Sequence, residues 1–168
     1  MKTLRLFAIC GMLISPILLT GLVRGGEKKK PKNDMCAAGN AQSLCSTANT
    51  CGSATSPCQV DIRRDEGDSA SATPAISGGK SNAPFCVKAG TTITFVSRSK
   101  NTGFVLDFGD SSPFATGGVI LGGADRPVSV VAKKPGCYTY SIGACTAGTV
   151  YGMCGEDAAQ FVVSANSN

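Results

Sequence analysis

Between Phe85 and Val163 apolar side chains recur at every second position, a period that belongs to half-buried strands and leaves few other folds open. In "TITFV" Ile93 and Phe95 share one face, and in "GFVLDF" Phe104, Leu106 and Phe108 do so. "PVSVVAK" aligns Val128, Val130 and Ala132, "CYTYSI" aligns Tyr138, Tyr140 and Ile142, and "AAQFVV" aligns Phe161 and Val163. Turn residues punctuate these runs at Ala89-Gly90, from Gly109 to Pro113, at Gly122-Gly123 and at Pro135-Gly136. No amphipathic helical stretch interrupts them. Every Phe and Tyr except Phe7 also lies between Phe85 and Phe161, so the large side chains that fill a core are concentrated here. The pattern predicts an all-β domain over residues 83–165, an antiparallel Greek-key β-sandwich of about seven strands.

The preceding half of the chain is built differently. Residues 1–25 join a basic start, Lys2 and Arg5, to an apolar run from Leu6 to Val23, the layout of an export signal. The run reads either as a signal peptide cleaved after Gly25 or as an uncleaved anchor, because about eighteen apolar residues is near the lower limit for crossing a bilayer. Residues 26–34, with Lys28, Lys29 and Lys30, form a basic linker. Residues 35–60 are Cys-rich and otherwise small and polar, with Leu44 the one bulky aliphatic side chain between Cys36 and Cys58. Such a segment buries too little to offset its conformational entropy, so covalent cross-links must order it. Residues 61–82 read as a polar linker, with one short edge strand near Val60 and Ile62.

Setting aside Cys10 in the export segment leaves eight cysteines: Cys36, Cys45, Cys51, Cys58, Cys86, Cys137, Cys145 and Cys154. An even number in an exported chain implies a disulfide framework and places the protein outside the cell or in the cell envelope, held to the membrane only if residues 6–23 persist as an anchor. No Cys-x-x-Cys pair occurs, which disfavours both zinc binding and thiol-disulfide exchange. Cys145 and Cys154 flank a short Gly-rich loop and are expected to close it. Cys86 and Cys137 both begin strands and are expected to pair, leaving the other four to pair among themselves.

Charge and composition exclude further classes. The net charge of +5 resides in the first thirty residues, and from residue 31 onward ten basic side chains face ten acidic ones, which points away from nucleic acid. The chain has no histidine, so histidine-based nucleophilic triads, His-bearing zinc centres and His-ligated haem are unavailable. No glycine-rich phosphate loop precedes a helix. The sequence therefore points to a protein that is not an enzyme and carries no cofactor.

"AGTTITFVSRSKNTGFVLDF", "SPF", "PVSVVAKKPGCYTYSI" and the closing "DAAQFVV" together resemble the cupredoxin-like fold over about half of the chain. The resemblance implies a copper site of two histidines, a cysteine and a methionine, the mixed nitrogen and sulfur set of type 1 copper. Carried onto this chain, the cysteine corresponds to Cys145 and the methionine to Met153. The first histidine belongs between Thr102 and Val105, and the second between Cys145 and Met153. Neither is present. "VLDFGDSSPF" followed by "KPGCYTYSI" also resembles polycystic-kidney-disease-type adhesive repeats, where Asp107 and Asp110 invite calcium, against a plain turn in which Asp110 and Ser111 bond backbone amides. The leading expectation is an exported, disulfide-stabilised cupredoxin-like module without copper, binding or structural, whose partner is a protein or envelope component. The alternatives are a metal-handling or electron-transfer protein using Cys145 and Met153, and an adhesive module.

Overall fold

A computed structural model describes residues 31, 34–39, 41–148 and 153–165. The export segment and most of the basic linker lie outside them. Three short 3-10 turns, Cys36–Ala38, Ala41–Leu44 and Thr47–Asn49, precede nine strands. These are β1 (Cys58–Asp65), β2 (Ser69–Pro74), β3 (Phe85–Lys88), β4 (Thr92–Val96), β5 (Thr102–Asp107), β6 (Val119–Gly123), β7 (Val128–Val131), β8 (Gly136–Thr146) and β9 (Met153–Ser164).

The strands form a two-sheet sandwich, ordered β2-β1-β4-β7 in the first sheet and β3-β9-β8-β5-β6 in the second. The alternation read from the sequence is the alternation of burial. Phe104 and Leu106 of β5, and Tyr138, Tyr140 and Ile142 of β8, face a shared core with Phe95, Phe161 and Val163. Its centre is aromatic: Phe108 stacks on Tyr140 at 4.8 Å, Phe85 on Phe161 at 5.2 Å, and Phe114 meets Phe108 edge-on at 5.1 Å. Such pairs add about 0.5–1.5 kcal/mol each beyond the area they bury. The Pro-Gly-x-Tyr phrase acts as a corner, because the Tyr138 hydroxyl donates to the Lys134 carbonyl at 2.8 Å and fixes the approach to β8.

Three expectations need correction. The sheets are mixed, not antiparallel, since β1 runs parallel to β4 and β3 parallel to β9. Parallel neighbours are joined by crossovers rather than hairpins, and a period-two pattern does not report strand direction. The seven strands expected over residues 83–165 are present as β3–β9, but the sandwich has nine among the described residues, because residues 61–82 are no linker. They contribute most of β1, an inner strand, and all of β2. Ala70 and Ala72 of β2 are buried in the core despite their size. Small residues stand here because the two sheets nearly touch. A Cβ added to Gly155 of β9 would overlap the Ser69 carbonyl of β2. Composition reads such a stretch as loop, whereas close packing requires it.

The third correction concerns the cross-links. Cys36 joins Cys137, Cys45 joins Cys86, Cys51 joins Cys58 and Cys145 joins Cys154. Cys86 does not pair with Cys137, and the remaining cysteines of the N-terminal half do not pair only among themselves. In register, Cys86 and Cys137 both lie beside Val162, on opposite sides of β9. Two strand spacings of about 4.8 Å separate them, beyond the reach of a disulfide. Each instead bonds to the Cys-rich segment, which is thereby stapled across β9. Four disulfides suit an oxidising extracellular or periplasmic environment, and no helix among the described residues is long and apolar enough to cross a membrane.

Candidate functional site

The positions at which the copper-site resemblance would seat ligands come together at one pole of the sandwich. β5 starts there, β8 ends there and β9 begins there. Thr102 lies opposite Thr146, Gly103 opposite Cys145, Cys145 opposite Cys154, and Thr146 opposite Met153. The stretch 149–152, more than half of the interval expected to hold a second histidine, lies outside the described residues.

The chemistry at this pole is not that of a copper site. Tyr138, Tyr140, Ile142 and Ala144 all point into the core, so the next odd position, Cys145, falls on the outer face of its sheet and is exposed. Its sulfur is bonded to Cys154, with Cα atoms 4.1 Å apart. A disulfide has no thiolate lone pair to give a metal comparable to that of free cysteine. On the inner side, where a ligand would have to point, Thr102 is 3 % exposed and its hydroxyl lies 3.3 Å from that of Thr146. Two neutral hydroxyls that satisfy each other are weak ligands for a soft or borderline ion. A shallow cleft of about 340 Å³ opens beside them, lined by Asn101, Thr102, Gly103 and the β6–β7 turn through Arg126.

Asp107 and Asp110 lie toward the opposite pole. The Asp107 carboxylate accepts the Gly109 amide at 2.7 Å, and the Ser112 hydroxyl accepts the Phe114 amide at 3.2 Å. The turn is thus held by Asp107 and Ser112 in place of Asp110 and Ser111. Asp110 is exposed. Among the described residues, no three carboxylate, thiol or imidazole groups approach closely enough to hold a metal ion.

Burial raises the Tyr140 phenol far above its ordinary value of 10.0, and its oxygen has no hydrogen-bond partner among the described residues. It is held protonated in the core and lacks an adjacent base, so it has no means of acting as an acid or base near neutral pH.

Sequence reasoning passed over a second cleft, of about 460 Å³, between the β2–β3 crossover and β9. Its floor is a fixed polar network. Asn82, at a left-handed φ of 56°, lays its side chain along the free edge of β2. Its amide oxygen accepts the Ala72 amide at 2.8 Å, and its Nδ2 donates to Asp157 Oδ2 at 2.9 Å. Gln160 is 1 % exposed. Its Nε2 donates to Asp34 Oδ1 at 2.6 Å and Thr139 Oγ1 at 2.9 Å, while its Oε1 accepts the Met35 amide at 2.7 Å. One signal for this cleft is visible in the sequence: a glutamine set inside the apolar run "AAQFVV". A polar side chain in a buried strand must find partners, and these are Thr139 and the N-terminal segment.

Compared with known proteins, the chain matches no family model, and no curated sequence is significantly similar to it.

Proposed function

We propose that this protein is an exported, disulfide-stabilised cupredoxin-like module without a type 1 copper site, serving as a non-catalytic binding or structural component of the cell envelope or extracellular space. The observation that carries the reading is the pole itself. Its inner positions hold the Thr102–Thr146 hydroxyl pair, and its cysteine is directed outward and bonded to Cys154. The convergence of Thr102, Cys145 and Met153 at one pole supports the cupredoxin-like comparison, since the resemblance requires those positions to be neighbours. The disulfide framework supports export by way of residues 1–25. The partner is then a protein or envelope component, engaged through surfaces rather than through a metal.

The test is titration of the purified, oxidised protein with Cu(II) while the visible spectrum is recorded. The expected result is a spectrum without an intense charge-transfer band at any copper ratio. A strong band saturating at one equivalent would overturn the reading, because it requires a copper-thiolate bond.

A further inference from the structure

We propose that the cleft between the β2–β3 crossover and β9 is a binding site for a zwitterionic ligand of the amino-acid or short-peptide class. This rests on the reading of the protein as a binding module and names the chemistry of what it binds. At about 460 Å³ the cleft lies within the range of small-molecule sites, generally about 300–1,000 Å³.

Its polar groups divide into two sets. The floor groups Asn82, Asp157 and Gln160 are committed to one another, to the β2 edge and to the N-terminal segment. They are pre-organised and have little left to rearrange. The rim groups differ. The half-buried Asp65 carboxylate and the exposed Lys80 ammonium line the same cleft, yet neither side chain makes a hydrogen bond or ion pair with the described residues, and Ser81 beside Lys80 is likewise unengaged. Lys80 and Asp65 do not neutralise each other, although they are opposite in sign.

A ligand carrying both charges complements that arrangement. Its ammonium would face Asp65, with the spare lone pairs of Asp157 behind, and its carboxylate would face Lys80 and the Ser81 hydroxyl. A singly charged ligand satisfies only half of the rim. A simple cation is a poor fit because Lys80 opposes it, and a simple anion is a poor fit because two carboxylates do. Charge-assisted hydrogen bonds at both ends supply selectivity as well as affinity.

The cleft depends on parts of the chain that the sandwich alone would lack. Gln160 draws Asp34 and Met35 onto β9, the Cys36–Cys137 disulfide holds them there, and Pro31 just before them lines one margin of the site. That assigns the cross-linked extension a second task, to shape a pocket as well as to cover a strand.

The experiment is an amide chemical-shift titration of the full, oxidised protein with diglycine, run beside methylammonium chloride and sodium acetate. Diglycine is expected to give saturable shifts at Asp65, Lys80, Ser81, Asn82 and Asp157, and each single ion only weak, non-saturating ones. Asp65→Asn and Lys80→Ala, both at the rim and away from the core, are each expected to weaken binding about tenfold or more while leaving the remaining spectrum unchanged. Absence of saturable shifts, equal response to acetate or methylammonium, or undiminished binding in both variants would overturn the proposal. None of those results bears on copper, so failure here is separate from failure of the functional reading.

Discussion

Removing the Cys36–Cys137 bridge by a double substitution to alanine measures how far the Cys-rich segment belongs to the fold. With Cys45–Cys86 intact, the shortest path along the chain between Cys36 and Cys137 is about 60 residues, for which loop-closure entropy gives about 4 kcal/mol of stabilisation. The neighbouring bonds from Gln160 to Asp34 and Met35 lose their restraint at the same time, so the entropic figure is a lower expectation. Against a typical domain stability of about 5–15 kcal/mol, the variant should stay folded in the cold and unfold at much lower denaturant. Urea unfolding followed by tyrosine fluorescence, extrapolated linearly, reads the difference. The Cys45→Ala/Cys86→Ala variant should lose slightly less, because its loop is shorter. A loss below about 1 kcal/mol in the Cys36→Ala/Cys137→Ala variant would refute the reasoning, since the segment would then be an appendage rather than a staple.

Other expectations follow from the core. Gly155→Ala should destabilise by about 2–3 kcal/mol, because its Cβ overlaps the Ser69 carbonyl where the sheets nearly touch; an unchanged midpoint in urea would contradict that packing. Tyr138→Phe should cost about 1 kcal/mol through loss of the bond to Lys134, whereas Tyr140→Phe should be neutral or stabilising because its buried hydroxyl has no partner. The pH dependence has a definite sign. Burial raises the folded-state pKa of Tyr140 above 10.0, so the unfolded chain releases its proton first. The Tyr140 contribution is then fully present below about pH 10 and is lost as pH rises beyond it, and Tyr140→Phe should flatten the alkaline fall in denaturation curves. A slope unchanged by the substitution would assign the alkaline loss to other groups.

The legible part of the fold was the part with large side chains. In β4, β5, β8 and β9 the Ile, Phe and Tyr residues alternate with polar ones and mark the core face directly. β1 was legible only as a short edge strand near Val60 and Ile62, and β2 was missed because its core contacts are Ala70 and Ala72, whose size reflects the approach of a second sheet that no local window contains. Strand direction was missed for a related reason, since the β1–β4 and β3–β9 pairs are made across long connections. At the pole, the missing histidines and the proximity of Cys145 to Cys154 were visible in the sequence. The outward direction of Cys145 follows from the parity set by Tyr138 and Tyr140, but only once β8 is seen to run unbroken to Thr146. The lateral cleft was illegible because Asp65, Lys80 and Asp157 come from three distant segments, and only Gln160 stood out against its surroundings.

The central claim is that a disulfide ties up Cys145 at the pole and leaves no type 1 copper set among the described residues, and native mass spectrometry of the mature protein after incubation with copper tests it most directly. The expected spectrum shows a chain lighter than its reduced form by two hydrogens for each of four disulfides, with no stoichiometric copper. A chain retaining one copper ion, with Cys145 and Cys154 recovered as free thiols, would contradict the account.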